Sequence, residues 1–302
     1  MSGFSASWLD LREPVDAASR NAELSAALQV WRRPFKRLSV LDLGCGTGAN
    51  FRFLAPLLGG EQHWRLVDHD PILLAHGARR LRRWATDRAM QTTLAERGLA
   101  FESANDRYQL EPLALDLVGD WDLPDRRSPT LLTASALLDL VSEPWLERLA
   151  ARCRQWEAAV FIALSYDGAA VWEPVLAGDE RVRERLNRHQ RTDKGFGPAL
   201  GPAAPATLAI LLRQLGYRVM LRPSPWRLGP EHGQIQTALL DGWSEIARQF
   251  GLEPTDWLPE WTHRRRRLIE RRMSRLYVGH WDVFACPCGI AGPVSIPQPA
   301  VE

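Results

Sequence analysis

The chain has little of what staples small secreted or metal-bound folds. It holds four cysteines. Cys45 sits in a glycine-rich turn, Cys153 falls on a predicted helix, and only Cys286 and Cys288 are close, so no disulfide framework emerges. A structural zinc site needs further ligands, which Cys286-Pro287-Cys288 does not supply, and two free thiols ahead of a loosely ordered tail are expected. Lysine is almost absent. Of 38 basic residues only Lys36 and Lys194 are lysine, a bias that fits a GC-rich bacterial genome and says little about function. The net charge of +2 excludes the strong electrostatic footprint of a nucleic-acid-binding chain. No apolar run approaches the ~20 residues that span a bilayer, and the start lacks a basic-then-apolar signal pattern. A cytoplasmic chain without a membrane partner is expected. Its oligomeric state is not legible.

What the chain has is a 45% hydrophobic composition over 302 residues, enough for a sizeable core. It also has one sharp motif, Ser39-Val40-Leu41-Asp42-Leu43-Gly44-Cys45-Gly46-Thr47-Gly48. A buried strand runs there into a turn with glycine at alternate positions, where the backbone can take angles and approaches that a Cβ would block. Such strand-to-helix turns bind ligands in doubly wound sheets. The spacing also satisfies a permissive dinucleotide fingerprint, but Asp42 argues against it, because a carboxylate there opposes a pyrophosphate. An acid suits a ligand carrying an ammonium and a sulfonium.

On residues 40–48 the chain resembles the class I S-adenosylmethionine-dependent methyltransferases, whose first motif reads (V/I)LD(L/I)GxGxG. The resemblance implies contacts from Asp42, Gly44, Cys45, Gly46 and Gly48 to S-adenosylmethionine. Residues 63–68 read as a second strand ending in Asp68, with His69 beside it and Asp70-Pro71 opening a helix. One carboxylate can accept from both hydroxyls of a vicinal diol, and the resemblance assigns Asp68 to the ribose. Residues 113–117 look like the family's third-strand motif, which places Asp116 and Leu117 at the adenine. Residues 129–135 read as a fourth strand, ending in Ala134 and Ser135 at the same site, and 158–165 as a fifth.

Strands alternating with helices imply a mostly parallel sheet covered on both faces. The expected fold is α/β, a doubly wound, Rossmann-like, seven-stranded sheet. Residues 217–222 and 276–285 would give the sixth and seventh strands, and the resemblance inserts the seventh antiparallel between the fifth and sixth. Residues 1–36 would form a helical cap, 37–285 the catalytic domain with insertions at 166–206 and 224–275, and 286–302 a flexible tail.

The cap carries one helix-like run at 16–31. Family members often close such a helix over the methionine end of the cofactor, which makes Arg20, and after it Arg12, the candidate partner of the cofactor carboxylate. Methyl transfer needs in-line positioning and, for hydroxyl or amine acceptors, removal of a proton. The loop at 189–202 supplies His189 as candidate general base and Asp193 as its partner or a substrate contact, against a purely structural reading of His189. Trp172 and Phe196 could wall the acceptor. Two more helices are expected at 234–250 and 257–276. The second carries His263 and Arg264 to Arg267, either a phosphate grip or a solvated face. His280 reads better as a satisfied core histidine.

No Asn/Asp-Pro-Pro-Tyr-like turn follows the fourth strand, no Pro-Cys nucleophile lies in mid-sheet, and no RNA-binding module is recognisable. The inserted segments suggest an enclosed pocket for a small-molecule substrate. Methylation of RNA or protein, and an inactive cofactor-binding scaffold, stay open.

Overall fold

The computed structural model describes residues 5–119, 130–250 and 255–288. Its centre is a sheet of β1 (Arg37–Leu43), β2 (Glu61–Asp68), β5 (Arg107–Ala114), β6 (Leu131–Ser135), β7 (Ala159–Glu173), β8 (Tyr217–Pro223) and β10 (Arg275–Pro287). Their order across the sheet is β5-β2-β1-β6-β7-β10-β8. β1 pairs in parallel with β2 and β6, β2 with β5, and β6 with β7. β10 alone among these seven runs antiparallel to both neighbours, β7 and β8. The expected mostly parallel sheet with its reversed last strand is therefore present. From β1 the chain steps to one side through β2 and β5 and then returns to the other side of β1 at β6, so the carboxyl ends of β1 and β6 form a topological switch point.

Helices cover both faces, as buried strands without polar alternation require. α5 (Glu143–Trp156) and α7 (Ala204–Gln214) close one core with Leu132, Ile162 and Val283. On the other face lie α2 (Ala22–Arg32), α3 (Ala49–Leu58), α4 (Pro71–Thr86), α6 (Asp179–Gln190), α8 (Gly233–Gln249) and α9 (Leu258–Glu270). That core is aromatic at its centre, where Phe51 meets Trp64, Trp84 and Tyr108 edge-on with ring centres 5.1, 5.3 and 5.7 Å apart. α4 starts where the sequence predicts, because Asp70 accepts from the Ile72 and Leu73 N–H groups and Pro71 needs no partner at the first helical position.

Several expectations change. The cap is two helices, α1 (Ala6–Ser19) and α2, because Arg20 is extended and the Asn21 side chain caps the Leu24 N–H. The third strand lies earlier than predicted, at β5, so Asp116 and Leu117 follow it in a loop. An unpredicted hairpin, β3 (Gln91–Ala95) and β4 (Gly98–Glu102), extends the sheet beyond β5. β7 runs through Glu173, well into the segment predicted as an insertion, and His189 sits on the last turn of α6. A short strand, β9 (Trp226–Leu228), pairs with β10. Cys286 lies inside β10 opposite Arg218, so the strand continues into the predicted tail. Residue 129 of the predicted fourth strand and most of the tail lie outside the described residues. No helix among the described residues is long and apolar enough to cross a membrane.

Candidate active site

The Gly44 to Gly48 turn leaves β1 with φ of 63°, 53° and 80° at its three glycines, all left-handed. Gly46 serves a second need. A Cβ there would lie 3.0 Å from Leu9 of α1, so the missing side chain lets the cap descend onto the turn. The cap is fastened there by charge: Glu13 accepts two hydrogen bonds of 2.7 Å from Arg52 of α3 and an ion pair of 2.9 Å from Arg80 of α4. Arg52 in turn donates to the Thr47 carbonyl.

Asp42 is fully buried beneath this turn. Its Oδ1 accepts from Asn50 at 2.8 Å, and Asn50 also donates to Thr133, whose hydroxyl donates to the Phe161 carbonyl. Its Oδ2 has no partner among the described residues. Burial pushes the carboxyl up to about 7; Asn50 and Arg20 pull it down, and Asp68 adds to the rise.

Asp68 ends β2 with both oxygens engaged, accepting from the Gly46 N–H at 2.8 Å and the Asp70 N–H at 3.0 Å. A carboxylate has about four lone-pair sites, so each oxygen keeps one for a diol. His69 is exposed, 3.5 Å from Asp68. Cys45 is buried in the turn, and burial drives its thiol well above its usual range, which makes it packing rather than a nucleophile. Asp116 Oδ1 accepts from the Val118 N–H, and the Leu117 carbonyl accepts from Trp145. Ala134 is buried between β1 and β7.

Arg20, at the break between α1 and α2, turns inward to the switch point. It donates to Ser135 Oγ at 3.1 Å and stacks over Phe53, while Nε and the second terminal nitrogen are buried without partners among the described residues. Burial lowers its pKa, opposed by Asp282, Asp16 and Asp42. Arg12, the second candidate, is spent: Asp16 receives two of its hydrogen bonds, and it stacks on Trp226 at 5.0 Å.

The expected His189–Asp193 pair is not formed. Asp193 Oδ1 accepts from the Gly195 and Gly197 N–H groups and so shapes its own loop. The His189 ring instead meets Lys194, whose Nζ lies 2.9 Å from Nε2 and also donates to the His189 carbonyl and to Thr192. Burial and the Lys194 charge both lower the His189 pKa. Trp172 packs beneath Arg265 and against Trp243, so it is core, whereas Phe196 meets Trp145 edge-on.

Sequence reasoning missed Asp139 and Tyr166 of a second polar group at the same edge and read His280 as a satisfied core histidine, whereas its Nδ1 is buried with no partner among the described residues. Asp139 follows β6 in a 3-10 turn, Tyr166 lies on β7, and His280 faces it from β10. Asp282, unremarked in the sequence, holds the edge together by accepting from the Asn21 and Leu164 N–H groups and the Ser224 hydroxyl. Nearby Ala136 and Leu164 take left-handed φ of 54° and 56°, rare for residues with a Cβ. An open cavity of about 680 Å³ lies between α1 and the β8–β9 turn, and neither the glycine turn nor Arg20 lines it.

This strand order, with the glycine turn at its switch point, is the arrangement that the resemblance to the class I methyltransferases implies. No protein-family model matches the chain. A stretch of 39 residues is 51% identical to thiol S-methyltransferase TMT1A of Homo sapiens, covering 13% of this chain and only 16% of that protein. Among solved structures, the cyclopropane synthase MmaA2 of Mycobacterium tuberculosis is 10% identical over 93% of this chain and 94% of its own, with a TM-score of 0.45. A methyltransferase of Geobacter sulfurreducens with S-adenosylhomocysteine is 15% identical over 88% and 91%, with a TM-score of 0.41.

Proposed function

We propose that the chain transfers a methyl group from S-adenosylmethionine to a small-molecule acceptor held at the carboxyl edge of its sheet. The observation that carries this reading is a buried pair of opposite, incompletely paired charges beside the glycine turn. Among the described residues, Arg20 has two nitrogens without partners and Asp42 has one oxygen. Buried polar atoms are almost always hydrogen-bonded, and a ligand bearing both a carboxylate and an ammonium answers both. Arg20 would hold the carboxylate and Asp42 the ammonium, and Asp68 would accept from the ribose hydroxyls. The bound cofactor supplies an electrophilic methyl group on a sulfonium. The protein's share is positioning and exclusion of water: α1, locked to α3 and α4 through Glu13, covers the turn. The short identity with a thiol S-methyltransferase supports the reaction class and leaves the acceptor open.

The test is label transfer from methyl-labelled S-adenosylmethionine into a bacterial extract, fractionated into small molecules and macromolecules. Label among small molecules, lost with Asp68→Asn, is expected. Label confined to RNA or protein would overturn the small-molecule acceptor. Absence of S-adenosylhomocysteine binding in calorimetry would overturn the cofactor assignment.

A further inference from the structure

Beyond the cofactor groups, three neighbouring buried side-chain atoms have no hydrogen-bond partner among the described residues: Asp139 Oδ1, the Tyr166 hydroxyl and His280 Nδ1. All three residues are more than nine-tenths buried. They belong together. The Tyr166 N–H donates to Asp139, whose charge in turn bears on the Tyr166 phenol. Tyr166 and His280 pair across β7 and β10 with ring centres 6.3 Å apart, and Trp226 lies 5.1 Å from His280. Single unsatisfied groups occur in native proteins, but a cluster of them at a sheet's ligand-binding edge marks a subsite that a polar ligand completes.

We infer that Asp139, Tyr166 and His280 form the acceptor subsite and that it takes an amine, whose proton Asp139 receives. This rests on the methyl-transfer reading above. The chemistry of the lining selects the class. Asp139 and His280 offer acceptor atoms, and the rings of Tyr166 and Trp226 suit a cation. The cations that face Asp139 are committed elsewhere: Arg12 to Asp16, and Lys194 to the His189 ring, the His189 carbonyl and Thr192. A carboxylate or phosphate acceptor would find no free partner there. Burial holds His280 neutral, with a pKa of about 3 to which Arg12 contributes. Burial also raises Asp139 to about 6, against the pull of Arg12 and Lys194, so it is ionised yet basic at neutral pH.

The step balances as follows in atoms and charge. The ammonium of the acceptor gives one proton to Asp139, which frees the nitrogen lone pair. That pair forms the nitrogen–carbon bond as the carbon–sulfur bond breaks, and the breaking pair stays on sulfur. The methylated ammonium leaves, and Asp139 returns its proton to solvent.

The experiment offers four probes on one frame, benzylamine, benzyl alcohol, benzyl mercaptan and phenylacetate, with methyl-labelled S-adenosylmethionine. S-adenosylhomocysteine affinity is measured in parallel. Label on benzylamine is expected, with Asp139→Asn lowering kcat by about a hundredfold and leaving S-adenosylhomocysteine affinity within about twofold. Tyr166→Phe and His280→Gln are expected to raise the amine KM by about tenfold. For the wild-type protein kcat/KM should be flat above pH 7 and fall about tenfold per unit below pH 6, a readout that survives if a variant fails to fold. Preferential labelling of another probe overturns the amine assignment, as does intact S-adenosylhomocysteine binding with no labelled benzylamine. An unbroken rise of kcat/KM to the amine's own pKa overturns the role of Asp139. No S-adenosylhomocysteine binding overturns the methyl-transfer reading itself.

Discussion

Two buried arginines divide this molecule. Arg265 of α9, with none of its surface exposed, gives its guanidinium to both oxygens of Asp179, donates to the Pro174 carbonyl and stacks on Trp172. Asp179 sits in the first turn of α6, where the helix dipole favours an acid, and it also accepts from Trp261. Arg20, hardly more exposed, makes one hydrogen bond to a serine and leaves two nitrogens without partners among the described residues. The first arrangement is complete and holds α6 against α9. The second is incomplete and faces the glycine turn. Buried charge is costly unless paired, so satisfaction, more than burial, separates structural polar groups from those kept for a ligand.

That comparison is most strongly tested where pairing is complete. Asp179→Ala strips Arg265 of its counter-charge while leaving it buried, and it should cost about 3 to 5 kcal/mol of stability in urea unfolding. Arg265→Met should cost less, because the Asp179 carboxylate it leaves keeps the Trp261 and Leu176 N–H donors and the favourable N-terminal end of α6. Neither should alter the S-adenosylhomocysteine affinity of the folded protein. If Asp179→Ala proves neutral, the α6–α9 pair is not a staple and the contrast fails.

Arg20→Met should behave in the opposite way. It removes a charge that Asp282, Asp16 and Asp42 favour only through space, with no ion pair among the described residues, so stability should change by no more than about 1 kcal/mol. Two charge-assisted hydrogen bonds to a carboxylate, at about 1.5 kcal/mol each, would be lost, weakening S-adenosylhomocysteine by about a hundredfold. Unfolding with unchanged affinity would make Arg20 a second staple.

The same division explains what the sequence exposed and what it hid. The β1 strand and its glycine turn are local features, written in ten consecutive residues, and they were legible. The hairpin of β3 and β4 was not, because β3 buries no face that would betray it by alternation. Four consecutive arginines at 264–267 look like a uniform basic face, yet helical geometry turns Arg265 into the core while Arg266 meets Asp241 at the surface. His189 and Asp193 looked like a pair because they are near in sequence, but two glycine N–H groups lie nearer still to the acid. Asp139, Tyr166, His280 and Asp282 come from three distant elements, and only the crossing of β10 beside β7 brings them together.

Asp42 offers the finest test, because it is half satisfied. Its ordinary pKa is near 3.8, and burial lifts it to about 7 in the folded chain. Between those values the folded chain holds a proton that the unfolded chain has lost. This group's contribution to stability is therefore fully present at low pH, is lost as pH rises toward 7, and is constant above that. A ligand ammonium beside the free Oδ2 would reverse the preference and favour the carboxylate. S-adenosylhomocysteine binding near pH 7 should then release about half a proton, read as a difference in calorimetric enthalpy between phosphate and Tris buffers. Asp42→Asn should abolish the release, and wild-type affinity should fall by up to about tenfold from pH 7.5 to 6. Equal enthalpies in both buffers would mean that Asp42 stays protonated beneath the turn and serves the fold through Asn50, which would place it with Arg265 rather than with Arg20.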